Sequence, residues 1–291
     1  MTTGNTGVLK IHAAIALLAA SNALIKLADA WVTPQLVLSR SALAMLVVYV
    51  LLKRAGGRLW TKGKFPLLVR GISGTLALLL SVEAIPQLQL TTVSMLNQLS
   101  PFFTALLASV AFRKLVPLQQ WLAIGIALLG VWLMLMPGLV ELQRSFWLYL
   151  AGVISASVGY VAINKAETAC TSLHFVFYTS SFSALLSIGW LFSLPELPPI
   201  PLHSGADMLL LLGYSVLTLL ASLLMTSAFQ AGNVVKLNAI SYISILYAIG
   251  LDFLIFNSWI DLKGILGALL VGLSVLFFSG AFKNRLSLSA N

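Results

Sequence analysis

Ser94-Met95-Leu96-Asn97-Gln98-Leu99-Ser100-Pro101 has a partial twin far along the chain, Val235-Lys236-Leu237-Asn238-Ala239-Ile240-Ser241-Tyr242. In both, a Leu-Asn pair is followed by a serine three residues after the asparagine. Two further echoes keep the same order. Gly125 and Gly130 are answered by Gly267 and Gly272, and Ile25-Lys26-Leu27-Ala28-Asp29 is answered by Asn164-Lys165-Ala166-Glu167. The echoes divide the chain into two similar halves, residues 1–140 and 141–291, and the chain reads as an internal duplication.

The surroundings of each echo say what kind of unit was duplicated. Of 291 residues, 59% are apolar and only 9% are Asp, Glu, Lys or Arg, against about 25% charged in a soluble domain. So little charge cannot cover a soluble surface of this size, and so much apolar content excludes a disordered chain. Apolar runs long enough to cross the roughly 30 Å hydrocarbon layer fall at 10–30, 34–52, 66–86, 90–112, 117–137, 146–165, 174–194, 207–229, 234–256 and 262–282. The first is read as a retained span, because no small-residue cleavage site follows it. Pro34, Pro66, Pro86, Pro117, Pro137 and Pro195 stand at span ends, where a missing N–H costs little, and only Pro101 falls inside a span. The predicted fold is an all-α integral membrane protein of ten transmembrane helices. Five spans per half is an odd number, so the second half enters the membrane from the opposite face. The prediction is therefore two inverted five-helix repeats, with a substrate site near their interface.

Basic residues set the orientation. With both termini cytoplasmic, Lys10, Lys53, Arg54, Arg58, Lys62, Lys64, Arg70, Arg113, Lys114, Lys165, Lys236, Lys283 and Arg285 gather inside, leaving Lys26, Arg40, Arg144 and Lys263 on the outer half. The net charge of +9 is read as cytoplasmic loops facing anionic lipid, not as nucleic-acid binding. Cys170 is the single cysteine, so an internal disulfide and a cysteine metal site are both excluded.

Short links between spans, the lysine closing span 1, Arg40 in span 2, Pro101 in span 4 and the glycine-paired spans 5 and 10 together resemble the drug/metabolite transporter superfamily, EamA type. The resemblance runs over about residues 10–282. It implies a central cavity lined by helices 1, 3, 4, 6, 8 and 9, placement in the inner membrane in a bacterium, and export of amino acids or related metabolites. The chain departs from the pattern at Arg113 and Lys114, where an acidic residue is common, and at Tyr242, where proline is frequent. No family rule for a coupling ion is carried over.

Polar groups within spans are the candidates for the site, since a charge at the bilayer centre costs roughly 2.5–3.5 kcal/mol. Lys26, Arg40 and Glu83 share an outer depth, which fits either a structural ion-pair cluster or a site in which a cation meets a substrate carboxylate and Glu83 meets an amine or proton. Asn97, Gln98 and Ser100 form a polar cluster beside the helix breaker Pro101, the expected gating point, with repeat mates Asn238 and Ser241. Ser157, Tyr160 and Asn164 share one helix face, as do Ser21, Asn22 and Lys26. Tyr242 could stack on substrate, and Asp252 joins Glu83 as a coupling candidate. Ser155 with Gly159, and Ala268 with Gly272, have the spacing of close helix packing.

The chain has no phosphate-binding loop and no His/Cys metal motif, and His12, His174 and His203 sit at span ends. The reading is therefore a secondary transporter, without cofactor, that moves a small polar or amphipathic metabolite by alternating access with proton coupling or exchange. Its partners are the substrate and membrane lipid, and it is expected as a monomer or weak dimer. A membrane-embedded enzyme or lipid-modifying subunit, and a non-transporting scaffold or sensor, are the alternatives.

Overall fold

The computed structural model describes residues 3–28, 30–56, 64–112, 118–135, 144–164, 170–198, 205–231, 237, 243–259, 262–270 and 272–274. Regular structure among them is entirely helical: α1 (Thr3–Leu27), α2 (Thr33–Arg54), α3 (Lys64–Ala84), α4 (Leu90–Asn97), α5 (Ser100–Phe112), α6 (Leu118–Leu135), α7 (Arg144–Asn164), α8 (Ser172–Phe192), α9 (Gly205–Ala231) and α10 (Ser244–Phe256), followed by an apolar helical stretch Leu262–Ser274. Local chemistry fixes the ends. Pro34 opens α2, where no backbone N–H is needed. The Thr171 amide donates to His174 Nδ1 at 3.2 Å and closes a capping box at the start of α8. Asn257 ends α10 in the left-handed region at φ 48°, a conformation its short polar side chain tolerates.

Seven spans among the described residues are long and apolar enough to cross a membrane. Their outer faces carry exposed Leu46, Val110, Leu185 and Leu209, an apolar exterior suited to lipid. For the first eight spans the expected boundaries lie within a few residues of the observed helices, with two differences; the start of the ninth and the end of the tenth lie outside the described residues. The first span starts earlier than Lys10, at Thr3. The fourth is two helices, because Pro101 cannot donate to the Asn97 carbonyl and the chain turns at Gln98 and Leu99. The Gln98 and Leu99 amides tighten to i−3 bonds with Met95 and Leu96 at 2.9 and 3.0 Å.

Helix pairs meet most extensively as α3 with α7, α1 with α9 and α2 with α8. Lipid tails are as apolar as side chains, so such pairs depend on close packing and polar contacts. On α3 and α7 that closeness comes from Gly152: a Cβ there would lie 3.2 Å from the Ala77 carbonyl oxygen. Ser155 Oγ then reaches the Ser73 carbonyl at 2.8 Å.

Two buried apolar clusters close the bundle at opposite ends. One joins the end of α1 (Ile25), the start of α2 (Leu36, Val37), the end of α3 (Val82) with Ile85 just beyond it, α4 (Leu96), the start of α7 (Tyr149, Val153) and α9 (Tyr214). The other joins the first half of α1 (Ile11, Ile15), the start of α3 (Leu67), the end of α7 (Ile163), the start of α8 (Phe175) and the end of α9 (Phe229). Polar surface lies between them.

Candidate functional site

That surface lines a cavity of ≈ 200 Å³ reached by α1, α2, α3, α4, α7, α8 and α9. A smaller space of ≈ 80 Å³ shares Asn22, Asn97 and Tyr160 with it and extends toward Ser94, Ser100 and Ser244. Two cations, Arg40 and Arg70, line the main cavity, and no Asp or Glu is among its described lining residues.

Arg40 on α2 donates from Nη2 to Ser222 Oγ on α9 at 3.0 Å. Arg70 on α3 is held differently. Its guanidinium fits a channel made by absent side chains: a Cβ on Gly74 would lie 1.9 Å from Arg70 Nη1, and one on Gly159 of α7 would lie 2.9 Å from Arg70 Cδ. The head stands 5.7 Å from the centroid of the Tyr160 ring, an electrostatically favourable seat for a cation. Its Nε is sealed from solvent with no hydrogen-bond partner. The residue as a whole is half-buried, and a cation drawn partly out of water with no counter-charge among the described lining is the kind of group folds retain chiefly for function.

Neutral polar groups complete the walls. Asn97 Nδ2 donates to the Tyr149 hydroxyl at 2.7 Å, which ties the broken α4 to α7. The Tyr160 hydroxyl contacts Met225 Sδ at 3.7 Å, and its ring meets Phe229 edge-on with centroids 4.8 Å apart. Ser21, Thr179, Ser180, Thr218 and Thr226 add hydroxyls.

The structure separates the residues expected from sequence into two sets. Asn22, Asn97 and Tyr160 line both spaces, Arg40 lines the larger and Ser100 the smaller. The others are engaged between helices. Gln98 Nε2 donates to Ser94 O at 3.0 Å and Ser244 Oγ at 2.8 Å. Ser157 donates to Val153 O at 2.9 Å and meets Ser100 Oγ at 3.3 Å. Pro101 is buried at the α4–α5 break. Lys26, Arg40 and Glu83 do not cluster: Lys26 Nζ donates to Leu88 O at 3.1 Å and sits 4.6 Å over Phe256, while Glu83 Oε2 accepts from Thr33 Oγ1 at 2.6 Å. Asp252 accepts from the Leu90 amide at 3.2 Å, the Thr91 amide at 2.7 Å and the Thr91 hydroxyl at 2.6 Å, so it caps the start of α4. Asn238, Ser241, Tyr242 and the side chain of Asn164 lie outside the described residues.

Arg70 is the cavity residue that the sequence reading left out of the site. Counting from the span end puts it among the basic residues of the inner rim, yet it lines the cavity. The signal in the sequence was Gly74, one turn further along the same helix. The second glycine of the channel, Gly159, was expected as a packing residue, and it serves Arg70 as well.

A helical membrane bundle with a central cavity lined by polar groups between two apolar clusters belongs to the class of small-molecule transporters. The EamA-like transporter family model matches residues 5–136 and again 143–280, and the chain belongs to that family. Two curated relatives, the pseudopaline exporters CntI of Pseudomonas aeruginosa strains UCBPP-PA14 and PAO1, are each 28% identical over 255 residues, covering 86% of this chain and 87% of theirs. A protein of known crystal structure shares the fold at TM-score 0.70 and 17% identity, over 97% of this chain and 99% of its own.

Proposed function

We propose that this chain exports a small metabolite by alternating access, through the rocking of two inverted repeats, residues 1–140 and 141–291, around the arginine-lined cavity, with proton coupling or exchange as the driving force. The observation that carries the reading is the position of that cavity between two apolar clusters at opposite ends of the bundle. Either cluster, opened alone, would expose the chamber to one side.

Three further features support the inversion. The family model matches each half separately. Exchanging each span with the one five places on turns the α3–α7 pair into α9–α1, and α3–α8 into α9–α2, and all four pairs are packed. The same exchange converts the parts of one apolar cluster (ends of spans 1 and 3, start of 2) into parts of the other (ends of spans 6 and 8, start of 7). Export, rather than uptake, follows the CntI relatives. An amino acid or related compound remains the first substrate class to try, with pseudopaline beside it.

Reconstitution into liposomes with labelled compounds tests this. A transporter gives counterflow only across a sealed bilayer. An enzyme would give covalent product in detergent, and a scaffold neither. Asn97→Ala is expected to fold and insert normally but to lower counterflow, because Asn97 lines the chamber and holds Tyr149. Unchanged transport by that variant would remove Asn97 from the site.

A further inference from the structure

We propose that the cavity takes a small dianion whose two carboxylates are held apart, one by Arg40 and one by Arg70; the inference rests on reading this cavity as the transport site. The two guanidiniums belong to different walls. Arg40 is fixed against α9 through Ser222, and Arg70 is fixed against α7 by the Gly159 channel and the Tyr160 ring. Nothing described in the lining neutralises them. The carboxylates of Glu83 and Asp252, the nearest expectation for a counter-charge, are occupied by Thr33 and by the start of α4. The missing negative charge must therefore arrive with the ligand.

The ligand's form follows from the donors. A guanidinium binds a carboxylate through paired N–H bonds, and both arginines line the cavity. The two cations stand on different helices, α2 and α3, so a ligand with two carboxylates can meet one on each. In the same lining Asn22, Asn97 and Tyr149 offer neutral polar groups, and Met225 and Phe229 offer apolar contact. An amine-only or neutral compound would leave both cations without a partner. At ≈ 200 Å³ the space is below the roughly 300–1,000 Å³ of drug-sized sites, so the dianion is a small metabolite.

The test is binding to the purified full-length protein in detergent, read as the shift in thermal unfolding temperature. The probes, at matched ionic strength, are glutarate, the neutral isostere glutaramide, the cationic isostere 1,5-diaminopentane, and inorganic phosphate. Glutarate is expected to raise the unfolding temperature, and the other three to leave it unchanged. Arg40→Gln and Arg70→Gln should each weaken glutarate binding by about tenfold or more, the loss of one charge-assisted contact. Arg70→Met guards against misfolding, since it removes a half-buried cation whose sealed Nε has no partner; it should unfold no earlier than the wild type and lose the glutarate shift. The proposal falls if the diamide or the diamine binds as well as glutarate. It also falls if phosphate binds in place of the carboxylates, if no probe binds, or if both Gln variants bind glutarate within twofold of wild type. Counterflow separates this from the transport reading. Glutarate binding without counterflow of any labelled compound would end the transport reading and leave the dianion site standing. Counterflow of a neutral or cationic compound would do the reverse.

Discussion

At the scale of single residues, the absence of two side chains matters as much as the presence of Arg70. Gly74 and Gly159 leave the space in which the guanidinium lies. A Gly74→Ala methyl would collide with Arg70 Nη1 at 1.9 Å, the far end of a flexible side chain, which can swing away without disturbing the backbone. Alanine is also the better helix former by about 0.5–1 kcal/mol. The expected outcome is a protein that folds at least as stably as wild type in thermal unfolding yet loses about tenfold or more in counterflow, by displacement of the cation. Full counterflow in Gly74→Ala would show that the position of Arg70 is immaterial. The same pair explains what the sequence could and could not reveal. Asn22, Asn97 and Tyr160 were legible as polar groups in apolar runs. Arg70 was not, because a basic residue less than two turns from a span end can snorkel outward or turn inward, and the choice is made by a glycine on another helix. Ser157 and Gln98 are polar and within spans, but their hydrogen bonds run to other protein groups, Ser157 to Val153 O on its own helix and to Ser100, Gln98 to Ser244.

At the scale of elements, the join between α4 and α10 is made by one carboxylate. Asp252 supplies from another helix the cap that Gln89, the residue before α4, does not provide. An anion at a helix start also meets the positive end of its dipole. Asp252→Ala would strip acceptors from two buried amides, and about 1–2 kcal/mol of stability should go with them. A lowered unfolding temperature checks this. Asp252→Asn keeps one acceptor oxygen and should lose less. Because the carboxylate faces the α4 backbone and not the cavity, Asp252→Asn is also expected to keep at least about half of wild-type transport driven by a pH gradient, as suits a cap near the lower end of that cost. Abolition of gradient-driven transport with counterflow intact would instead make Asp252 the coupling group. The break at Pro101 was legible because proline inside a span has one physical consequence. The capping role of Asp252 was not, since its partners lie some 160 residues earlier in the chain.

At the scale of the whole molecule, the two apolar clusters make opposite demands on the same chamber. Ile85 belongs to one and Phe229 to the other, both are buried, and both also border the cavity. Cutting either to alanine removes packing worth about 2–5 kcal/mol from one end and leaves the other end intact. In an alternating-access protein that difference should shift the population toward the state open at the weakened end. Ala77, between the clusters on the cavity wall, is a reporter position. With the buried native Cys170 replaced by alanine and Ala77→Cys installed, a membrane-impermeant maleimide can be applied from either face of oriented vesicles. Ile85→Ala should raise labelling from one face and Phe229→Ala from the other, each by several-fold, as expected for a shift of 1–2 kcal/mol in a two-state equilibrium. The outcome turns only on the two faces being different, whichever of them is cytoplasmic. Labelling of both variants from the same face would mean that the clusters do not gate opposite sides. The exchange of parts between them would then record shared ancestry of the two halves without a shared mechanism.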